Sequence, residues 1–142
     1  MRLPAKPEEL RVKTDVVERI AELANNDSWL VHRGRTLDTT FLLGIGDTDY
    51  LVRIHRGRVE AVAKGPFIQP RWTFALRASQ DAWNTFWLPV PPPGGHDLFA
   101  MIKTRALSLD GDQYPFMSNL RYFKDLLALP RATAGKTAGG AR

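Results

Sequence analysis

Apolar and polar residues alternate through the middle of this chain, and near both ends apolar residues return every three or four positions. The first pattern marks strands with one buried face, the second helices with one apolar stripe. Phe41, Leu43 and Ile45 alternate along one strand. Tyr50, Val52 and Ile54 alternate along the next, after the turn Gly46-Asp47-Thr48-Asp49. Val59, Ala61 and Ala63 follow the Arg56-Gly57 turn, and Trp72, Phe74, Leu76 and Ala78 make a fourth run. Together these read as a β-meander. A two-residue turn at Arg56-Gly57 pairs Ile54 with Val59, Val52 with Ala61 and Tyr50 with Ala63, and sets Arg53 opposite Glu60 on the other face. Thr73 and Arg77 share that second phase, so one face is apolar and the other mixed. Phe41, Val52, Ile54, Ala61, Trp72 and Phe74 are expected together on the apolar face. Such a sheet is covered by helices on one side only.

Helical spacing supplies the cover. Thr14 to Asn25 reads as a helix with Val16, Ile20, Leu23 and Ala24 on its stripe. Asp15 with Glu18 resembles a capping box, and Asn25-Asn26-Asp27 is a stop. Ser79 is a candidate N-cap for a short helix bearing Trp83, Phe86 and Trp87. Pro89 to Gly95 is a rigid loop. Asp97 to Lys103 predicts another helix with Phe99 and Ile102 inward, and Ala106 to Leu109 a short fifth strand. Asp110-Gly111-Asp112 turns the chain into a last helix with Phe116, Leu120, Phe123 and Leu127 on its stripe, ended by Pro130. Thr133 to Arg142 is small, polar and Gly-rich, which predicts disorder.

The 142 residues are room for one core. The expected organisation is a single α+β domain over residues 1–130 and a flexible basic tail over 131–142. With no cysteine, disulfides and cysteine-ligated zinc are excluded. No apolar run approaches the roughly 18 residues of a membrane span. The first residues carry no apolar h-region, so a secretory signal is not expected, and the reading is cytoplasmic. The net charge is +5. Arg131, Lys136 and Arg142 in the tail supply much of it, and a denser basic region runs from Arg33 to Arg77. The aromatics fall on apolar phases rather than between basic residues, so nucleic acid is not the expected partner. Weak attraction to an anionic membrane is compatible with the charge.

Several segments, in order, resemble the sterol carrier protein (non-specific lipid-transfer) family, in its stand-alone bacterial type. Phe41-Leu42-Leu43-Gly44-Ile45-Gly46-Asp47 with Tyr50-Leu51-Val52 is similar to the family's opening hairpin, and Gly57-Arg58-Val59 to the glycine turn into its third strand. Trp72-Thr73-Phe74-Ala75-Leu76-Arg77-Ala78-Ser79, followed by Trp83, resembles the next strand and helix cap. Phe99-Ala100-Met101 through Leu107-Ser108-Leu109-Asp110-Gly111-Asp112 resembles its helix, fifth strand and Gly-Asp turn, and Phe116 to Leu127 its closing helix. The resemblance spans Leu30 to Leu129. It implies a five-stranded, mainly antiparallel sheet with helices over one face. It also implies a hydrophobic tunnel that takes sterols, fatty acids or acyl-CoAs without reacting them. Thr104-Arg105-Ala106 stands where the family commonly has a Gly-Lys pair. The segment Trp83 to Gly95 is unusual and would reshape a tunnel. The end Gly139-Gly140-Ala141-Arg142 is not a peroxisomal signal.

Periodicity reports burial and not cavities, so the aromatics alone read as core. The resemblance implies that Phe41, Ile54, Trp72, Phe74, Trp83, Phe99, Met101, Phe116, Leu120 and Phe123 line the cavity. His96 beside Asp97 is the best catalytic candidate, but Asp97 sits where a helix start wants a carboxylate, and no nucleophile motif is present. The pairs Asp47/Asp49 and Asp110/Asp112 fall short of a calcium shell, and His32, His55 and His96 share no ligand spacing. The short repeat Val31-His32-Arg33-Gly34-Arg35 and Ile54-His55-Arg56-Gly57-Arg58 reads as two glycine turns, or as a double anion site. The sequence thus points to a non-catalytic carrier of an apolar small molecule or lipid, with no cofactor and no metal. The rivals are an interaction module pairing two copies through Trp83 to Gly95, and a small hydrolase or isomerase using His96.

Overall fold

The computed structural model describes residues 16–131. Helix α1 (Val16–Asn25) buries Val17, Ile20 and Ala24, one helical stripe. Thr14 and Asp15 lie outside the described residues. A second helix that the apolar spacing does not announce, α2 (Ser28–Arg33), follows directly. Asp27 caps it, its carboxylate accepting from the Leu30 N–H at 3.1 Å. The polar cluster that stops α1 therefore also starts α2, as short side-chain acceptors do.

Strands β1 (Asp38–Ile45), β2 (Thr48–His55) and β3 (Arg58–Lys64) form the antiparallel meander. Strand β4 (Phe74–Ala78) departs from the sequence reading. It does not continue beside β3 but crosses the sheet to pair in parallel with β1, Phe74 beside Phe41 and Leu76 beside Leu43. The chain then runs through α3 (Gln80–Phe86), α4 (Leu98–Lys103), β5 (Leu107–Gly111), α5 (Tyr114–Ser118) and α6 (Leu120–Leu127). Strand β5 pairs antiparallel with β4, which gives the order β3-β2-β1-β4-β5. The result is an α+β fold with a five-stranded, mostly antiparallel sheet.

The β2–β3 register holds only next to its turn. His55 pairs with Arg58 and Ile54 with Val59, then a bulge shifts the rest by one, so Arg53 faces Ala61 and Val52 faces Val62. Ala61 and Ala63 are exposed and Val62 packs against the core, the reverse of the expected phase. The bulge exchanges two methyl groups for one branched side chain on the buried face. At the bulge, the Asn25 amide bonds both ways with the Val59 backbone, at 3.0 and 2.8 Å. The expected Arg53–Glu60 pair still forms, at 3.5 Å.

Two further corrections concern the helices. In α4 the inward residues are Leu98 and Met101; Phe99 is turned to solvent and Ile102 is half-buried. The closing helix is two helices, broken at Asn119. Phe116, Phe123 and Leu127 are buried as expected and Leu120 is half-buried, while Tyr122 and Leu126 widen the buried stripe. Ser79 and Asp97 cap α3 and α4 as expected, accepting from the N–H of Ala82 and Ala100.

Both repeated turns end up in contact. A Cβ added at Gly34 would stand 2.9 Å from the Cα of Gly57, and one added at Gly57 would collide with the Val31 carbonyl. The Tyr122 hydroxyl donates to the Gly57 carbonyl at 2.7 Å, its ring lying against Gly34. Burial pushes the Tyr122 phenol up, so it stays a neutral donor.

Candidate functional site

The layer between sheet and helices is built from rings. Phe41 and Phe74, neighbours across the β1–β4 pair, stack with centroids 5.3 Å apart. Phe123 of α6 meets both edge-on, at 5.4 and 5.3 Å, and Phe116 of α5 lies 5.6 Å from Phe74 and from Phe123. All four are fully buried. Edge and offset contacts at these spacings are favourable ring geometries. The parallel β1–β4 pairing creates the cluster, because it sets Phe41 and Phe74 side by side under the closing helices.

The other residues expected at the site are spread around this cluster. Ile54, Trp83 and Met101 are buried; Trp72 and Leu120 are half-buried. Trp72 precedes β4 and lies over Gly111. Phe99 stands on the outer face of α4, 39% exposed. Trp83 is tied to β1, its indole N–H donating to the Gly44 carbonyl at 2.9 Å, and it stacks on Trp87, whose indole donates to the Leu127 carbonyl at 2.7 Å. The two indoles therefore fix α3 to the sheet and to α6. Sequence reasoning missed Thr39. It lies on the buried face of β1 opposite Ile54, 5% exposed, and its hydroxyl has no hydrogen-bond partner. Its alternation with Phe41 was the available signal.

Two clefts flank α3. One, of about 270 Å³, is lined by Val16, Ile45, Thr48, Tyr50, Gln80, Asn84 and Trp87. The other, of about 190 Å³, lies among Phe86, His96, Asp97, Leu98, Lys124, Asp125, Ala128 and Arg131. None of the ten expected lining residues borders either one. In the second cleft, Asp97 is held by Lys124 at 2.8 Å as well as by the Ala100 N–H. Burial would raise its pKa, but Lys124 and the helix N–H outweigh that and hold it below the ordinary value. His96 turns instead to its own loop, its Nδ1 accepting from the Gly94 N–H at 3.3 Å. The Asp97 carboxylate thus serves a helix cap and a lysine, and no His96–Asp97 hydrogen bond forms. Arg131, the first residue of the expected tail, lies over the Phe86 ring at 4.5 Å and donates to the carbonyls of Phe86 and His96. Residues 132–142 lie outside the described residues.

Three of the four paired aspartates, Asp49, Asp110 and Asp112, have other partners. Arg77 lies between Asp49 and Asp110, 4.0 and 3.9 Å away, and Asp112 accepts from the Tyr114 N–H. Among the described residues no group of three metal-ligating side chains comes together, and no helix is long and apolar enough to cross a membrane.

No family model and no curated protein matches the chain. Solved structures do. The crystal structure of sterol carrier protein 2 is similar with a TM-score of 0.66 at 11% identity, over 80% of this chain and 92% of that one. UbiJ-SCP2, a ubiquinone synthesis protein, is similar with a TM-score of 0.55 at 13% identity, over 87% and 99%. A segment of the sec-alkyl sulfatase PisA1 is similar with a TM-score of 0.52 at 16% identity, over 83% of this chain but 16% of that one. The chain has the fold of sterol carrier protein 2 domains.

Proposed function

We propose that this domain binds or transfers an apolar ligand of sterol, fatty acid or acyl-CoA type between its sheet and helices, without a covalent step. The architecture shared with a sterol carrier supports the reading. The observation that carries it to this chain is the Thr39 hydroxyl, unpartnered on an otherwise apolar face beside Phe41 and Ile54. An orphan hydroxyl costs about 1–3 kcal/mol, and ligand pockets pair apolar walls with a few such polar groups. The ligand's hydroxyl or carboxyl would meet Thr39, and its hydrocarbon would replace the ring contacts of Phe116. Helix α5 is the movable part, because Phe116 is its one buried residue while Tyr114 and Met117 face solvent. The ten residues Phe41, Ile54, Trp72, Phe74, Trp83, Phe99, Met101, Phe116, Leu120 and Phe123 are proposed to border the opened space, Phe99 at its outer rim.

A second reading is supported by Leu88 and Val90, 45% and 86% exposed within the segment Trp83 to Gly95. These would pair two copies of the chain around a filled core. Native mass spectrometry followed by organic extraction separates the readings. A monomer that retains lipid supports the carrier; a lipid-free dimer supports the interaction module.

A further inference from the structure

The smaller of the two clefts beside α3 holds a charge that the fold leaves unanswered. Both of its carboxylates are engaged: Asp97 by Lys124 and the Ala100 N–H, and Asp125 by Arg33 and Arg121 at 3.7 Å each. Arg131, on the same cleft wall, meets no carboxylate among the described residues. Its Nε and Nη2 donate to the carbonyls of Phe86 and His96, which leaves both N–H groups of Nη1 unused. Its guanidinium carbon lies over the Phe86 ring at 4.5 Å. Burial lowers the Arg131 pKa from its ordinary value, because the charge is partly stripped of water and no anion replaces it. His96 adds a second donor. Its Nδ1 accepts from the Gly94 N–H, so the ring proton sits on Nε2. Lys124 has three N–H groups and gives one to Asp97.

We infer that this cleft binds a small organic monocarboxylate, its oxygens on Arg131, His96 and Lys124 and its hydrocarbon against Phe86, Leu98 and Ala128. Three features fix the class. Outside the two engaged carboxylates the unused polar atoms are donors, which an anionic oxygen answers with charge-assisted hydrogen bonds. The unanswered charge is a single one, and Asp97 and Asp125 disfavour a dianion such as a phosphate group. The cleft holds about 190 Å³. That is below the roughly 300–1,000 Å³ of pockets for drug-sized ligands, so a short acid fits and a whole sterol does not. No member of the ring cluster Phe41, Phe74, Phe116 and Phe123 borders this cleft, so the inference stands apart from the carrier reading.

The test is an NMR titration of the full chain with hexanoate, hexanol and inorganic phosphate, read from backbone amide shifts. Hexanoate is expected to saturate, with the largest shifts at Phe86, His96, Leu98 and Ala128. Hexanol should bind at least about tenfold more weakly, the difference that one hydrogen bond to a charged group makes. Arg131→Gln should weaken hexanoate by a similar factor and leave hexanol unchanged. Ala128→Leu fills the cleft without touching a charged group and should also weaken hexanoate; it decides the matter if Arg131→Gln does not fold. The inference is overturned by the absence of saturable hexanoate shifts, by hexanol or phosphate binding as tightly as hexanoate, or by a folded Ala128→Leu that binds hexanoate like the parent. Shifts centred on Phe41, Phe74 and Phe123 overturn it too, by placing the acid in the ring layer, and that outcome would leave the carrier reading standing.

Discussion

At the residue scale, small polar groups decide more than their number suggests. The Tyr122 hydroxyl closes the two glycine turns on each other; Tyr122→Phe leaves the Gly57 carbonyl without that donor and should cost about 1–3 kcal/mol in urea unfolding. Thr39 works in the opposite sense. Thr39→Val removes an orphan hydroxyl at nearly constant volume, so the domain should become more stable by about 1 kcal/mol while affinity for a hydroxylated or carboxylated lipid falls. A destabilised variant would mean that the hydroxyl has a partner in the folded protein. Asp97 makes stability depend on pH. Its folded-state pKa lies below the ordinary 3.8, so its contribution is present above that value and is lost as pH falls through the folded value. Asp97→Asn keeps a good cap but cannot ionise, and its unfolding midpoint should fall less steeply with acid than the parent's. These contributions could not be read from the chain. The capping role of Asp97 was legible because caps are local; Lys124 comes from a later helix, far outside the reach of a local signal.

At the element scale, strands, caps and turns were legible because their signals lie within a few residues. The parallel placement of β4 was not, because alternation fixes which face a strand buries and says nothing about its neighbour. The bulge at Arg53–Ile54 was hidden for a related reason: it depends on Val62 outweighing Ala61 in burial and on Asn25 reaching the edge strand. Phe99 was misplaced by assigning the wrong phase to a six-residue helix, where one turn and a half cannot distinguish Phe99/Ile102 from Leu98/Met101. The junction of α2 with the β2–β3 turn gives an element-scale prediction. Gly57 has φ +84° and no room for a Cβ. Gly57→Ala should therefore displace α2 and lower the melting temperature clearly, whereas Gly94→Ala, also at positive φ but with open space around it, should lower it only modestly.

At the scale of the whole molecule, the ordered motifs from the opening hairpin to the closing helices anticipated the fold, since the order of elements survives where residue identity does not. The ring cluster was legible as buried positions but not as a filled layer, because periodicity cannot distinguish a wall from a packing partner. The central claim is that this layer opens to hold a lipid. Its most direct test is a titration of the parent and of Leu120→Trp with a fluorescent fatty acid, each checked for folding by its thermal transition. Leu120 is half-buried at the start of α6, where a larger ring would fill the space a ligand needs. Saturable binding by the parent, lost in a folded Leu120→Trp, is the result this account predicts. A parent that binds no fatty acid or sterol would contradict it, as would a folded Leu120→Trp that binds as tightly as the parent.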